Sequence, residues 1–386
     1  MSVLLKSGCR IFSTFFFLLN PPYVKSIDLS ARSAVIICAD SRDIIFSKNH
    51  TEHRAMASTT KIMSALLALE EAAARGERDL QISEEMVRVE GSSMGLRAGD
   101  LVSLETLVRG MLLPSGNDAA NVTAISVCGS IDKFVKRMND RAKEIGMKDT
   151  LFCTPSGLDV GDHHSTAIDM AILGAYAMEN ELFAKIASEK TANVKVGDRS
   201  IWLTNHNKLL KLYPYCIGIK TGFTEKAGRC LVSCAEKNNI RLVCVTLNAP
   251  DDWNDHIKLY EYGFSHTKSI TFDDTNECIK VDIKNGESPA VDSQGATSFS
   301  RTFQSDNPKV ERKIQINDNL CAPIVKGQCL GKINYLYNGN IIGSNLLISK
   351  DDVKVLPKKN IFVRIAQSIL GFFKNIFLGI SKLFKH

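Results

Sequence analysis

From Lys61 to Arg75 the chain reads KIMSALLALEEAAAR, and neither glycine nor proline intervenes before Gly76. Ile62, Met63, Leu66 and Leu67 recur at helical spacing, so the segment predicts a mostly buried helix. Ser58 stands at its start in ASTTK, three residues before Lys61, which brings both side chains onto one helical face. A serine here has two readings. It is a helix cap, or it is a nucleophile whose proton passes to Lys61. The second reading needs the free base of the lysine, which burial and neighbouring positive charge favour by lowering its pKa. Backbone N–H groups at the helix start would then stabilise an oxyanion. The pair alone does not choose between the two.

The elements around that helix predict the fold class. Before it, SAVIICAD and DIIFSKN are two β-branched runs joined through Ser41 and Arg42, a strand hairpin. After it, Leu104, Leu107, Val108, Met111 and Leu112 share one face of a helix that Ser103 caps and Pro114 ends. Ile131, Phe134, Val135 and Met138 mark a further helix from Ser130 to a stop at Gly146, so residues 60–150 are predominantly helical. Strand signals return after Trp202 in CIGIKTGFT, GRCLVSCAEK and IRLVCVTLNAP, the last two separated by an Asn238-Asn239 turn. With the first hairpin these make five strands of one antiparallel sheet. A helix from about Asp252 to Gly263 closes the unit. The expected fold is therefore α+β, a five-stranded antiparallel sheet with flanking helices and a helical subdomain. Length agrees, since 386 residues accommodate a catalytic-sized unit and a smaller module. After about Asn276 short alternating runs and a strong Asn338-Gly339 hairpin signal predict a small all-β domain. The expected units are residues 28–268 and 276–356.

Both ends differ from the middle. In residues 1–26, Lys6 and Arg10 precede a short apolar run from Ile11 to Leu19 that Asn20, Pro21 and Pro22 end, the order of a secretory signal, although no clear A-x-A cleavage site follows. In residues 358–386, basic side chains fall near one side of a helix while phenylalanines and isoleucines crowd the others, which predicts a C-terminal amphipathic helix lying in the plane of an anionic membrane surface. A spanning helix would put Lys374 near mid-membrane at a cost of roughly 2.5–3.5 kcal/mol. The net charge of +6 gathers at this end and elsewhere Lys and Arg are mixed with Asp and Glu, so a nucleic-acid partner is not expected. The eleven cysteines are odd in number and contain no C-x-x-C pair; they read as buried free thiols, not as a zinc or redox site.

Two further motifs bear on Ser58. Ser115-Gly116-Asn117 follows Pro114 in an interhelical loop; such a triplet is a common turn, but here Ser115 can relay a proton to a leaving amine and the Asn117 amide can orient a substrate amide and Lys61. Lys220-Thr221-Gly222 lies near the end of a strand, where Lys220 and Thr221 offer a carboxylate donors and charge and Gly222 lets a substrate backbone approach. Each motif is weak alone. The ordered set, each piece on the element its chemistry needs, is strong.

With these pieces in place the sequence resembles the penicillin-recognising serine acyltransferases, and within them the low-molecular-weight penicillin-binding proteins that are D-alanyl-D-alanine carboxypeptidases. ASTTKIMSALLALE, LVRGMLLPSGNDAANVTA, TPSGLDVGDHHSTAIDMAIL, NHNKLL and GIKTGFTEKAGRCLVS are similar to that family's conserved blocks, in order, over roughly residues 28–266; APIVKGQCLGKI is similar to its C-terminal β domain. The resemblance implies that Ser58 is the acylated nucleophile, Lys61 its general base, Ser115 and Asn117 the proton relay and positioning groups, and Lys220 and Thr221 the anchors for a terminal carboxylate beside Gly222. It also implies an oxyanion hole from the backbone N–H groups of Ser58 and Phe223; Phe223 stands where relatives often carry histidine, so no side-chain role carries over to it. Substrate would be a peptidoglycan stem peptide ending in D-Ala-D-Ala, β-lactams would inhibit, no cofactor or metal would be needed, and the enzyme would be exported to the outer face of the bacterial cytoplasmic membrane. A serine β-lactamase shares all three motifs, but no convincing E-x-x-L-N segment follows Asn117. A D,D-transpeptidase with an amine acceptor and a non-catalytic stem-peptide scaffold are the other readings. Arg229 is either a solvated strand charge or a second carboxylate holder. In DHHSTAIDM, His163, His164, Asp162 and Asp169 read either as a metal cluster or as a carboxylate-capped loop entering a helix; S-x-x-K chemistry needs no metal, which favours the loop.

Overall fold

The structure is a computed structural model that describes residues 27–305, 307–357, 367–374 and 376. The secretory-signal segment and most of the expected amphipathic helix lie outside the described residues. Residues 367–374 are helical, with Ile369, Leu370, Phe372 and Phe373 exposed. No described helix is long and apolar enough to cross a membrane.

The hairpin at the start is present as β1 (Ser33–Cys38) and β2 (Ile44–Lys48). A one-turn 3-10 helix, Ala57–Thr60, leads into α1 (Lys61–Arg75), which ends at Gly76. Short strands β3 (Asp79–Gln81) and β4 (Leu101–Ser103) pair around α2 (Glu84–Val87). The helical subdomain continues with α3 (Leu104–Leu112), α4 (Asn117–Cys128) and α5 (Ile131–Glu144). Ser103 caps α3 as expected, accepting from Thr106 N, and Ser130 accepts from Lys133 N at the start of α5, so each satisfies an otherwise orphaned donor. Helices α6 (Ala167–Ala177) and α7 (Glu181–Ser188) follow.

Next comes a hairpin that the sequence does not announce, β5 (Thr191–Val196) with β6 (Arg199–Thr204). In TANVKV only Val194 and Val196 are buried, so the strand lacks the apolar run that marks the others. After α8 (Leu209–Leu212) come β7 (Cys216–Thr224), β8 (Gly228–Lys237) and β9 (Ile240–Leu247), then α9 (Asp252–Ser265).

The five long strands form one antiparallel sheet in the order β2-β1-β9-β8-β7. Its alternation separates two cores. Val35 and Ile37 of β1 and Val243 and Val245 of β9 belong to the core that α6 covers and that continues into α1 and α3, whereas Ala34, Ile36, Leu242 and Cys244 share a core with Leu259 and Tyr260 of α9. Buried on both faces, β1 reads as a continuous apolar run. Helix α1 is enclosed between sheet and helical subdomain, so that every residue from Lys61 to Leu69 is buried. The edge strand β7 presents its open side beside the start of α1, and this juxtaposition creates the site.

The second unit is all β. A strand not marked in the sequence, β10 (Lys268–Asp273), occupies the interval before it and pairs with β13 (Ser298–Phe303). Strands β11 (Ile279–Asp282), β12 (Ala290–Gly295), β14 (Val310–Ile316), β15 (Cys329–Tyr337) and β16 (Asn340–Ser349) form a second sheet in the order β11-β12-β16-β15-β14. Asn338 and Gly339 both take positive φ, 51° and 80°, the two-residue hairpin geometry the sequence calls for. The ten cysteines among the described residues are free, and those in strands are mostly buried, where burial raises their thiol pKa.

Candidate active site

The site is built on the turn before α1. Ala57 has φ 48°, a left-handed conformation that costs a non-glycine residue on the order of 1 kcal/mol, and the chain around it is held by two hydroxyls. Thr59 Oγ1 donates to Met56 O at 2.6 Å and Thr60 Oγ1 to Ala57 O at 2.8 Å. Neither the 3-10 turn nor α1 is capped by a side chain. Ser58 is therefore not a cap. Its Oγ lies 2.8 Å from Lys61 Nζ.

Lys61 is fully buried, and its Nζ also donates to Ser156 O at 2.7 Å. Burial above all, and then the charge of Lys220, hold its pKa well below the ordinary lysine value, with Asp118 opposing. No carboxylate forms an ion pair with it among the described residues. A carbonyl partner and no counter-ion leave the amine's lone pair free to take the serine proton.

Lys220, on β7, is 1% exposed and donates to Thr221 O at 2.8 Å; burial lowers its pKa to about 7. Gly222 follows where β7 runs against the nucleophile turn. A Cβ there would stand 3.0 Å from Met56 O and 3.1 Å from the backbone nitrogens of Ser58 and Thr59, so only glycine admits this approach without displacement. Phe223, 66% exposed, forms the lip of the pocket.

Ser115 is buried with φ 67°, another left-handed non-glycine residue. Asn117 begins α4, but its amide nitrogen donates to Glu90 O at 2.6 Å and its backbone N–H to Ser92 O at 2.7 Å. Its amide nitrogen is thus committed to the 90–92 strap. Asp118, not singled out in the sequence, accepts from Met94 N, Gly95 N, Leu96 N and Ser93 Oγ at 2.6–3.1 Å and fixes the 93–96 strap beside the pocket.

Ser58, Ser115, Thr221, Gly222, Phe223, Ser92, His206 and Lys208 meet at one open pocket of about 310 Å³. Arg229 lines it too, as a partly solvated charge held by an ion pair. Its Nε and one terminal nitrogen donate to Asp252 Oδ1 at 3.1 and 2.5 Å, and the guanidinium lies 5.2 Å from the Trp253 ring centre. Lys208 and Arg229 set two cations against one carboxylate, Asp252, in the pocket lining, a net positive charge that suits a carboxylate. Three-dimensional proximity alone reveals Ser92, Asp118, Ser156, His206, Asp252 and Trp253; of these, Asp118, Ser156 and His206 fall inside the quoted blocks and the others outside them.

The DHHSTAIDM segment enters α6, with the cap supplied by a hydroxyl in place of the expected carboxylate: Thr166 Oγ1 accepts from Asp169 N at 3.1 Å. Asp169 reaches back to Asp149 N and Thr150 Oγ1, both at 2.7 Å. His164 stacks on His53 with ring centres 4.3 Å apart. His163 is buried and its ring nitrogens meet Cys153 N at 2.9 Å and Thr60 Oγ1 at 2.8 Å, so neither faces a shared metal position.

Comparison with known proteins places this geometry in context. A sequence-family model described as "D-alanyl-D-alanine carboxypeptidase" matches residues 20–251, and one described as "Penicillin-binding protein 5, C-terminal domain" matches residues 266–355. The chain is 33% identical to the D-alanyl-D-alanine carboxypeptidase DacF of Bacillus subtilis over 84% of its own length and 86% of the relative's. It is 30% identical to DacC of Escherichia coli, another D-alanyl-D-alanine carboxypeptidase, over 90% and 92%. Among solved structures, penicillin binding protein 5 of Haemophilus influenzae superposes with a TM-score of 0.64 at 29% identity, covering 86% of this chain and 99% of that one. The Streptomyces K15 DD-transpeptidase superposes with a TM-score of 0.60 at 27% identity, covering 63% and 100%.

Proposed function

The chain belongs to the D-alanyl-D-alanine carboxypeptidase family, and from that premise we propose how its own residues carry out the reaction. It is a serine D-alanyl-D-alanine carboxypeptidase of cell-wall metabolism, a low-molecular-weight penicillin-binding protein acting on peptidoglycan stem peptides and open to β-lactams. Ser58 Oγ attacks the carbonyl carbon between the two terminal D-alanines while Lys61 Nζ takes its proton. The backbone N–H groups of Ser58 and Phe223 hold the oxyanion. On collapse the C–N bond breaks, Ser115 passes its hydroxyl proton to the departing amine and takes a replacement from protonated Lys61, and D-alanine leaves an ester on Ser58 with Lys61 again a free base. Lys61 then deprotonates a water that attacks the ester, and returns that proton to Ser58 Oγ as the acid leaves. Lys220 and Thr221 hold the terminal carboxylate, Gly222 admits the substrate backbone, and Asn117 positions the peptide.

The observation that carries this reading is the 2.8 Å approach of Ser58 Oγ to a buried lysine whose other partner is a neutral carbonyl. Labelling with a fluorescent penicillin tests it, with one equivalent bound to the parent protein and none to Ser58→Ala; stoichiometric labelling of that variant would overturn the assignment. Mass spectrometry of diacyl-L-Lys-D-Ala-D-Ala after incubation separates hydrolysis from amine transfer and from binding without turnover.

The remaining readings concern organisation. A peptidase unit at 28–268, a β domain at 276–356, export through residues 1–26 and peripheral attachment to the outer face of the cytoplasmic membrane through residues 358–386 are supported by the charge and hydropathy patterns of those segments. Deleting residues 358–386 is expected to move the enzyme into the soluble fraction with its peptidase activity intact.

A further inference from the structure

One loop touches Lys61 and the turn residues Ala57 and Thr60 on either side of Ser58, yet none of its residues enters the reaction above. Residues 151–165 are closed at their ends by backbone bridges, Leu151 with His164 and Arg54 with Ser165. Between those bridges the loop presents three groups to the start of α1. Ser156 O accepts from Lys61 Nζ at 2.7 Å. Gly157, at φ 88°, packs so closely on the nucleophile turn that a Cβ would stand 1.9 Å from Ala57 O and 2.8 Å from Thr60 Oγ1. His163 reaches Thr60 Oγ1 at 2.8 Å.

The direction of each hydrogen bond in this chain follows from its partners. Cys153 N–H can only donate, so His163 Nδ1 accepts at 2.9 Å and the ring proton sits on Nε2. His163 Nε2–H therefore donates to Thr60 Oγ1, and the Thr60 hydroxyl donates onward to Ala57 O at 2.8 Å. Ala57 is the left-handed residue immediately before the nucleophile, and its carbonyl accepts from this relay and has Gly157 packed closely against it. Phe152 is fully buried and tilts against the imidazole at 6.1 Å between ring centres, which keeps water away from the relay. Burial also holds the imidazole neutral, with its pKa lowered to about 4, so the donor and acceptor pattern persists over the working pH range.

We propose that the 151–165 loop is a clamp on the nucleophile turn, in which His163 and Thr60 are positioning residues that lock the Ala57 carbonyl and thereby the aim of Ser58 Oγ and Ser58 N–H. The inference rests on the reading of Ser58 as the acylated nucleophile. Its physical basis is that a left-handed alanine relaxes unless its surroundings hold it, and that a displacement of about 1 Å at a reacting atom costs roughly a hundredfold in rate. Neither side chain lines the substrate pocket, so binding should be spared.

The test uses the full chain and three variants. Thr60→Val keeps the shape and removes the hydroxyl; Thr60→Ser keeps the hydroxyl; His163→Asn keeps an acceptor for Cys153 N–H and removes the donor to Thr60. Penicillin titration first counts active sites in each preparation. Per active site, Thr60→Val and His163→Asn are each expected to lower the acylation rate and peptide kcat by roughly 10- to 100-fold with KM within about twofold, whereas Thr60→Ser stays near the parent. The double variant Thr60→Val/His163→Asn should be no slower than the worse single one, because both break one relay. The proposal is overturned if either single variant lowers thermal stability but acylates at the parent rate per active site, or if the two losses multiply. Should Thr60→Val not fold, His163→Asn alone still decides by its kcat against KM. Failure of the nucleophile assignment would appear separately, as labelling of Ser58→Ala.

Discussion

Lys61 and Lys220 are both buried, and burial above all, then the positive charge of Lys220, depresses the pKa of Lys61. Asp118, the carboxylate that opposes this effect, spends its hydrogen-bonding capacity on the 93–96 strap and does not neutralise either amine. The arrangement therefore keeps one lysine available as a base and the other as a cation awaiting a carboxylate.

The pH dependence follows from that division. Lys61 acts as free base, so acylation by penicillin should rise with pH along a limb far below the ordinary lysine value of 10.5. Lys61→Arg, a cation that cannot deprotonate, should cost on the order of 10²–10⁴-fold in acylation. Lys220 is cationic below its pKa of about 7, so the KM for a peptide with a free terminal carboxylate should increase above that pH. The same peptide ending in a carboxamide should lack this increase. Stopped-flow acylation and steady-state assays across pH 5–10 check both statements.

Gly222→Ala places a methyl 3.0–3.1 Å from Met56 O and the Ser58 and Thr59 nitrogens, all of them backbone atoms that cannot rotate away. The strand must move off the nucleophile turn, so acylation should fall by roughly a hundredfold or more. Because β7 is an edge strand, the melting temperature should fall by no more than a few degrees. A variant that acylates normally would show that the approach is not needed.

Arg229 and Asp252 form a pair that is exposed on the arginine side and buried on the carboxylate side. Arg229→Leu should raise the KM of an acidic-ended peptide several-fold and leave kcat unchanged, and it should lower the melting temperature because it leaves the buried Asp252 carboxylate without its partner. Asp252→Ala removes that buried carboxylate and leaves a guanidinium that stays partly solvated, so it should destabilise less. Steady-state kinetics and thermal melts distinguish the two.

Acid sensitivity should come from buried imidazoles. His256 lies between Ser233 and Thr246 with its pKa lowered to about 3 by burial, and His163 is lowered to about 4. Unfolding exposes both to water, where they protonate near 6.5. The unfolded chain thus binds protons first as pH falls, and stability present above pH 6.5 is lost progressively toward pH 4. At about 1.4 kcal/mol per unit the loss amounts to several kcal/mol. Melting temperature followed from pH 7 to pH 4 should decline, and His256→Gln should flatten part of the slope.

Much of this protein is written locally. The buried helix after Ser58, the cap at Ser103, the helix that follows Ser130 and the Asn338-Gly339 turn each depend on periodicity, capping chemistry or φ preferences within a few residues, and each is present as the sequence predicts. Residue types and order also point to the chemistry, because a serine and a lysine one helical turn apart face the same way whatever surrounds them. Strands β5 and β10 were not legible, since their pairing with β6 and β13 supplies what their own patterns lack.

What only the tertiary structure decided is which groups are committed elsewhere. The Asn117 amide nitrogen serves Glu90, Arg229 is bound by Asp252, and His163 serves Thr60. The depressed pKa of Lys61 belongs to the same class, because desolvation and the field of Lys220 arise only when α1 is enclosed and β7 is laid beside it. Sequence spacing brings Ser58 and Lys61 together; burial and through-space charge, which no local pattern encodes, make the lysine a base.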